Sequence, residues 1–230
     1  MAKIKALVLD IETRPALVYT FELKETTIPW RQIKEESCII AWSAKWLNEP
    51  INTIKYMDLR NAKYPIVDDS SILRPLHKMM SEADIIVGQN SKEFDVKRLN
   101  ARFDMNGLKP LTHFKHYDLY LMSRQVAAYT SQKLEYVTEK LNSKYKKLQH
   151  KNFPGMTLWL ECLNGNTAAW NEMKKYNIHD VLSTEERCNL VRKWAPAAFP
   201  DLDAEKCGNC GKAKTIKLKC PECGKWGVCE

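Results

Sequence analysis

No apolar run in this 230-residue chain is long enough to cross a bilayer as a helix, so none is expected to anchor it in a membrane. The N-terminus lacks a secretory-signal pattern, because its apolar run is short and already carries Asp10 and Glu12. There is no long internal repeat and no low-complexity segment. Global disorder is excluded by a composition that is 44% hydrophobic, enough for a real core. The length suits one sizeable domain with a small appendage.

What is present in excess is positive charge and cysteine. A formal net charge of +8 suits a polyanionic partner, most simply nucleic acid, although a modest excess of this size also serves solubility. Eight cysteines would fit a secreted disulfide protein. Four of them, however, form two Cys-x-x-Cys pairs near the end: Cys207 with Cys210, and Cys220 with Cys223. That spacing points to metal in a reducing compartment, so the expected location is cytoplasmic.

Residues 7–13 read LVLDIET, a short apolar run that stops in two carboxylates one residue apart. If residues 4–10 form a strand, Asp10 and Glu12 point to the same side at its carboxyl end. Two like charges so close repel, and a hard divalent cation such as Mg²⁺ or Mn²⁺ relieves the repulsion. A solvated acidic turn at a strand end explains Asp-x-Glu equally well.

Further along, residues 13–37 are irregular, with Pro15 and Pro29. Tyr19, Phe21 and Trp30 in this stretch either stack on bases or are half-buried loop aromatics. Residues 38–46 and 51–57 are predicted strands joined as a hairpin through Asn48, Glu49 and Pro50. Residues 70–80 are amphipathic at helical spacing, with Pro75 placed where a first turn tolerates it. Residues 85–90 are a buried-type strand broken at Gly88. A helix follows with Asn90 or Ser91 as its N-cap and Val96, Leu99 and Phe103 as its apolar stripe. Asp95 falls in its first turn, where the helix dipole also favours an acid.

Residues 113–117 are a predicted short edge strand, and Asp118 opens another helix. Leu134, Val137 and Leu141 again have helical spacing. A basic run follows, with Lys144, Lys146 and Lys147 around Tyr145; such a run is either a solvated face or a track for a phosphate backbone. After Pro154 and Gly155 the chain is helical through Leu190, and Tyr176 and Asp180 lie one turn apart on one face. The proline-rich residues 196–200 end the domain. Strands alternating with helices, with carboxylates at their ends, give an α/β sheet with a candidate metal site at one edge.

Three segments taken together resemble the DEDD superfamily of 3′–5′ exonucleases. The first is LVLDIET. The second, VGQNSKEFDVKRL at residues 87–99, holds Asp95. The third, YNIHDV at residues 176–181, has the Tyr-x-x-x-Asp form of the Tyr-type subgroup. The resemblance covers roughly residues 1–193, with the motifs in family order. Many relatives have His where this chain has Gln89. A His-type site is rejected, because the position five residues before Asp180 is Lys175 rather than His.

The resemblance implies a ribonuclease H-like mixed sheet flanked by helices over residues 1–195. It further implies two Mg²⁺ or Mn²⁺ ions held by Asp10, Glu12, Asp95 and Asp180, with Tyr176 orienting the attacking water. Asn90, Lys144, Lys146 and Lys147 are the candidate substrate contacts. The expected activity is release of nucleoside 5′-monophosphates from the 3′ end of single-stranded DNA. The rivals are an RNA exonuclease and a noncatalytic nucleic-acid-binding module. A replication or recombination protein is an expected further partner, a membrane is not, and the oligomeric state is open.

Residues 205–230 resemble a zinc ribbon: two Cys-x-x-Cys-Gly knuckles flank a lysine-rich hairpin. Four thiolates from Cys207, Cys210, Cys220 and Cys223 suit one structural Zn²⁺ in tetrahedral coordination.

Overall fold

The computed structural model describes residues 4–24, 27–146, 148 and 152–194, together with the backbone of residues 218–219 and 226–227. Its centre is β1 (Ala6–Thr13), buried along nearly its whole length. β2 (Leu17–Val18) and β3 (Ile33–Glu35) form a small separate pair, so the segment predicted as irregular carries a short hairpin stem. β4 (Ile39–Trp46) and β5 (Lys55–Asp58) follow, then α1 (Ser70–Glu82), β6 (Ile85–Gly88), α2 (Asp95–Met105) and β7 (Lys115–Asp118). The helices α3 (Leu119–Val126), α4 (Leu134–Lys140), α5 (Thr157–Leu163) and α6 (Thr167–Trp194) complete the body. Beyond it, β8 (Leu218–Lys219) pairs antiparallel with β9 (Trp226–Gly227).

The main sheet has the order β5-β4-β1-β6-β7. β5, β4 and β1 are antiparallel neighbours, whereas β1, β6 and β7 run parallel. This is the α/β mixed sheet flanked by helices that the sequence predicts. Helices cover both faces, which is why β1 and β6 read as nearly unbroken apolar runs. Leu7, Leu9 and Ile11 pack with Trp42 and with Leu73 and Leu76 of α1 on one side. Ala6 and Val8 face the other way, toward Leu119 and Met122 of α3 and Val181 and Cys188 of α6. Strand alternation therefore sends Asp10 and Glu12 toward the α6 side.

α6 has 28 residues, so it runs about 42 Å. Its middle is tied to the sheet by Lys45 of β4, which donates to Glu185 at 2.6 Å, and Glu185 also accepts the Asn48 N–H at 2.7 Å. A second buried anchor is Asp69, at the start of α1. It accepts two bonds from Arg102 of α2, both at 2.8 Å, and the Ile39 N–H of β4 at 2.9 Å.

Several predicted boundaries move. Residues 51–53 form a 3₁₀ turn rather than strand, because Pro50 C=O accepts from both the Thr53 N–H and the Thr53 hydroxyl. β7 is the predicted edge strand shifted to Lys115–Asp118, where it pairs with β6 up to Gly88 opposite Asp118. Pro75 is the sixth residue of α1, beyond the first turn. The hydrogen bond it removes would have gone to Ser71, and both residues lie on the exposed face, where the loss is least costly. The predicted ribbon cysteines Cys207, Cys210, Cys220 and Cys223 lie outside the described residues, as does Lys147. Among the described residues no helix is long and apolar enough to cross a membrane.

Candidate active site

β1 pairs with β4 in regular register as far as Glu12, opposite Ala41, and the register then shifts before Thr13. Asp10 sits opposite Ser43 on the face that α6 crosses. Two side chains fix that crossing. The Ser43 hydroxyl donates to the Asn177 carbonyl at 2.8 Å. Asn177 Nδ2 in turn donates to Asp10 Oδ2 at 2.6 Å and reaches the Asp10 carbonyl at 3.3 Å. Tyr176 and Asp180, both buried, stand on the same stretch of α6.

At the end of β6 the chain turns sharply. A Cβ on Gly88 would lie 2.5 Å from Ser91 Cβ, so only glycine allows this approach. Asn90 then takes a left-handed conformation, φ 58°, which Asn tolerates better than most residues. The turn is held by Asp118, at the end of β7, whose carboxylate accepts the N–H groups of Asn90 at 3.0 Å and Lys92 at 2.9 Å. Asp118 also caps α3 by accepting the Tyr120 N–H at 2.9 Å. The predicted N-cap role of Asn90 or Ser91 is not realised. α2 begins at Asp95 with Phe94 in the capping position, and the Ser91 hydroxyl bonds His116 Nε2 instead, at 2.9 Å.

Asp95 thus becomes the first helical residue, pressed against β1. Its Oδ1 accepts the Ile11 N–H at 3.2 Å, which places the carboxylate beside the backbone between Asp10 and Glu12. Burial pushes its carboxyl up to about 7, and the nearby charge of Asp118 adds to the rise; the Ile11 and Asp95 N–H groups and Arg98 oppose it. The Tyr176 hydroxyl is also raised far above its usual range. Burial is the main cause, followed by the negative charges of Asp180, Glu12 and Asp10 and a hydrogen bond to the Asp180 carboxylate. Tyr176 therefore stays a protonated phenol within the field of three acids. Among the described residues, no group of three or more His, Cys, Asp or Glu side chains is gathered so as to hold a metal ion. Asp10 and Asp95 instead take neutral N–H donors, the Asn177 amide and the Ile11 N–H.

A hollow of about 420 Å³ opens over this region, lined by Asp10, Asn90 and Asp180 with Gln89, Tyr120 and Lys133. The predicted substrate contacts divide: Asn90 lines this hollow, but Lys144 lines a separate one with Tyr145 and Glu186, and Lys146 is exposed. The Lys144 and Tyr145 N–H groups are engaged by Glu186. Lys133, at the foot of α4, is the lysine that faces the acids' hollow, and sequence reading passed it over. It passed over Asn177 and Thr184 as well. Both fall at core spacing with Met173, Asp180, Val181 and Cys188 on α6, and a polar residue on a buried stripe is the signal that finds them. His179, beside Asp180 in the sequence, packs edge-on against Tyr145 with centroids 5.7 Å apart.

No curated protein matches this chain. Among solved structures, the family B DNA polymerase from the hyperthermophilic archaeon Pyrobaculum calidifontis is similar, with a TM-score of 0.56 and 18% identity. The likeness covers 88% of this chain but only 27% of that polymerase, and at this identity it speaks to the fold. The model of the RNase H superfamily matches residues 34–191, a span that includes Asp95, Tyr176 and Asp180 and begins after Asp10 and Glu12. With the mixed sheet, the crossing helix and the match over most of its length, the chain belongs to the RNase H superfamily.

Proposed function

We propose that this protein is a metal-dependent 3′–5′ exonuclease that releases nucleoside 5′-monophosphates from single-stranded DNA. Membership of the RNase H superfamily supports a nuclease acting on nucleic acid. The observation that carries the finer reading is the shared field at Tyr176. Asp180 on its own helix and Glu12 and Asp10 on β1 all act on one phenol, and Asp10 and Asp180 also line one open hollow. A strand end has room to enter there.

RNase H-like nuclease domains generally use two divalent metal ions. The donor chemistry here suits them, since all four acids offer hard oxygens. Asp10, Glu12, Asp95 and Asp180 are the residues proposed to hold the ions. Bound there, the ions would stabilise the attacking and leaving oxygens of an in-line displacement. The chain's own groups do the rest. Asn177 orients the Asp10 carboxylate, Ile11 N–H orients Asp95, and the Tyr176 hydroxyl positions water for attack at the scissile phosphorus. Lys133, in the same hollow, adds a positive charge where a phosphate would sit. The Cys207, Cys210, Cys220 and Cys223 set is proposed to bind one structural Zn²⁺.

The test uses 5′-labelled and 3′-labelled single- and double-stranded DNA and RNA, with Mg²⁺, Mn²⁺ or EDTA. The expected result is stepwise shortening from the 3′ end of single-stranded DNA, release of mononucleotides, and no reaction in EDTA. Asp10→Ala and Asp180→Ala should abolish hydrolysis while binding persists, and Tyr176→Phe should slow it less. Shortening from the 5′ end, or wild-type rates in Asp180→Ala, would refute the reading. Preference for RNA would move the substrate to the rival nucleic acid.

A further inference from the structure

The segment between β1 and β4 carries apolar side chains that nothing among the described residues covers. Leu17, Tyr19, Phe21, Leu23 and Trp30 all lie between positions 17 and 30, with Tyr19 63%, Phe21 98% and Trp30 74% exposed. Such a concentration of exposed apolar surface marks an interaction site. The base of the segment is tied down by backbone pairing and side-chain bonds. Leu17 pairs with Glu35 and Val18 with Ile33, and the Tyr19 N–H donates to the Gln32 carbonyl at 2.8 Å. Arg14 clamps this stem to the body: it donates to Glu35 at 2.5 Å and to the Ile66 carbonyl at 2.7 Å, while the Ser37 hydroxyl bonds the Arg14 carbonyl at 2.7 Å. Arg14 itself is buried. The hairpin is therefore rooted two residues beyond Glu12, at the carboxyl end of β1 where the candidate site lies.

Its chemistry distinguishes the partner. The Lys34 ammonium lies 5.9 Å from the centre of the Tyr19 ring, and the Arg31 guanidinium lies 5.3 Å from that of Trp30. Among the described residues, neither cation has a carboxylate partner. Exposed rings with free cations beside them suit bases and phosphates in alternation. The same pairing recurs nearer the acids. Arg98 stands 4.3 Å from the Phe94 ring, next to Asp95, and Arg124 stands 5.7 Å from Tyr120, which lines the hollow. Glu22 and Glu36 share the hairpin segment, so a purely electrostatic phosphate track is excluded and stacking must supply much of the affinity.

We propose that the described residues 17–24 and 27–34 form a stacking platform for single-stranded nucleic acid. Tyr19, Phe21 and Trp30 seat unpaired bases, and Arg31 and Lys34 meet the adjoining phosphates. The platform deepens the exonuclease reading and rests on it for the identity of the strand that is bound, though not for the act of binding.

The test is fluorescence anisotropy of a 5′-fluorescein oligothymidylate, about 20 nucleotides long, in EDTA with the full chain. Each of Tyr19→Ser, Phe21→Ser and Trp30→Ser should weaken binding about tenfold, and the triple variant more than about a hundredfold. Trp30→Phe, which keeps a ring, should recover most of the loss. Met156→Ser and Leu160→Ser, also at exposed apolar positions, should bind as the wild type does. Because the side chains are exposed, circular dichroism should show the same fold throughout. Wild-type affinity in the triple variant overturns the platform and leaves the patch to a protein partner. Equal affinity for a fully paired duplex overturns it too. Binding in EDTA registers even if hydrolysis never occurs. Conversely, 3′ shortening by the wild type with unchanged affinity in the triple variant would sink the platform alone.

Discussion

Asn177 is the residue on which the site's geometry turns. It is fully buried on α6, and its amide is the donor that holds the Asp10 carboxylate in place. Removing it takes away a partly buried hydrogen bond to a charged carboxylate, worth about 1–3 kcal/mol. Asn177→Ala should therefore lower the thermal midpoint and also slow hydrolysis, because Asp10 is freed to turn. Asn177→Gln keeps the amide on a longer stem and should recover stability only in part. Equal activity in Asn177→Ala and wild type would remove the orienting role. The buried thiols allow a second prediction at this scale. Burial pushes Cys38, Cys162 and Cys188 each up to about 12, and neighbouring acids such as Asp69, Asp58 and Glu185 add to it. At pH 8 the thiolate fraction of each is about one in ten thousand. A disulfide reagent added to the native protein should thus titrate no more than the remaining five cysteines, and the three buried ones should react only in denaturant.

At the level of elements, the turn after β6 has the least freedom. Gly88→Ala puts a methyl 2.5 Å from Ser91 Cβ and Oγ, so either the turn or the β6–β7 ladder must move. Overpacking of this kind costs about 1–3 kcal/mol, and here the displaced segment carries Asn90 and leads into Asp95. The variant should lose activity well before its unfolding temperature, measured by circular dichroism, is reached. Asp69→Ala should be the more destabilising change, by about 3–5 kcal/mol in urea, since it strands the Arg102 guanidinium and the Ile39 N–H together. Much of this was legible beforehand. The LVLDIET run, the break at Gly88 and the helical spacing of Tyr176 and Asp180 announce β1, β6 and α6, because periodicity and a glycine stop are local signals. What was not legible depends on distant partners. Asp118 looks like a helix start and is one, but its second duty, holding the turn from Asn90 to Lys92, follows only from β7 pairing with β6. Lys144 is expected as a substrate contact because it sits in a basic run; the fold places it in a separate hollow, while Lys133 lines the one that Asp10 and Asp180 share.

For the whole molecule, charge and modularity are the properties to test. A formal charge of +8 predicts that nucleic-acid binding falls steeply as salt is raised, with a slope of about 0.7 per phosphate contacted on a single strand. If stacking on the hairpin carries much of the affinity, the residual binding at high salt should be what the triple serine variant loses. The carboxyl-terminal cysteines set a separate prediction. A unit as short as residues 205–230 buries too little apolar surface to fold unaided, so its stability should come from metal. The body, by contrast, has its own two-sided core on the central sheet, built from described residues of β1, β4, β6 and the helices. Zinc should accordingly be present at about one ion per chain by atomic emission. Cys220→Ser should release it, because three thiolates hold Zn²⁺ less well than four. Stripping the metal with a strong chelator should leave the main thermal transition of the body unchanged while the tail becomes sensitive to protease. If metal removal lowered that main transition, the tail would have to contribute to the core. If folded protein carried no zinc, the two Cys-x-x-Cys pairs would need another chemistry.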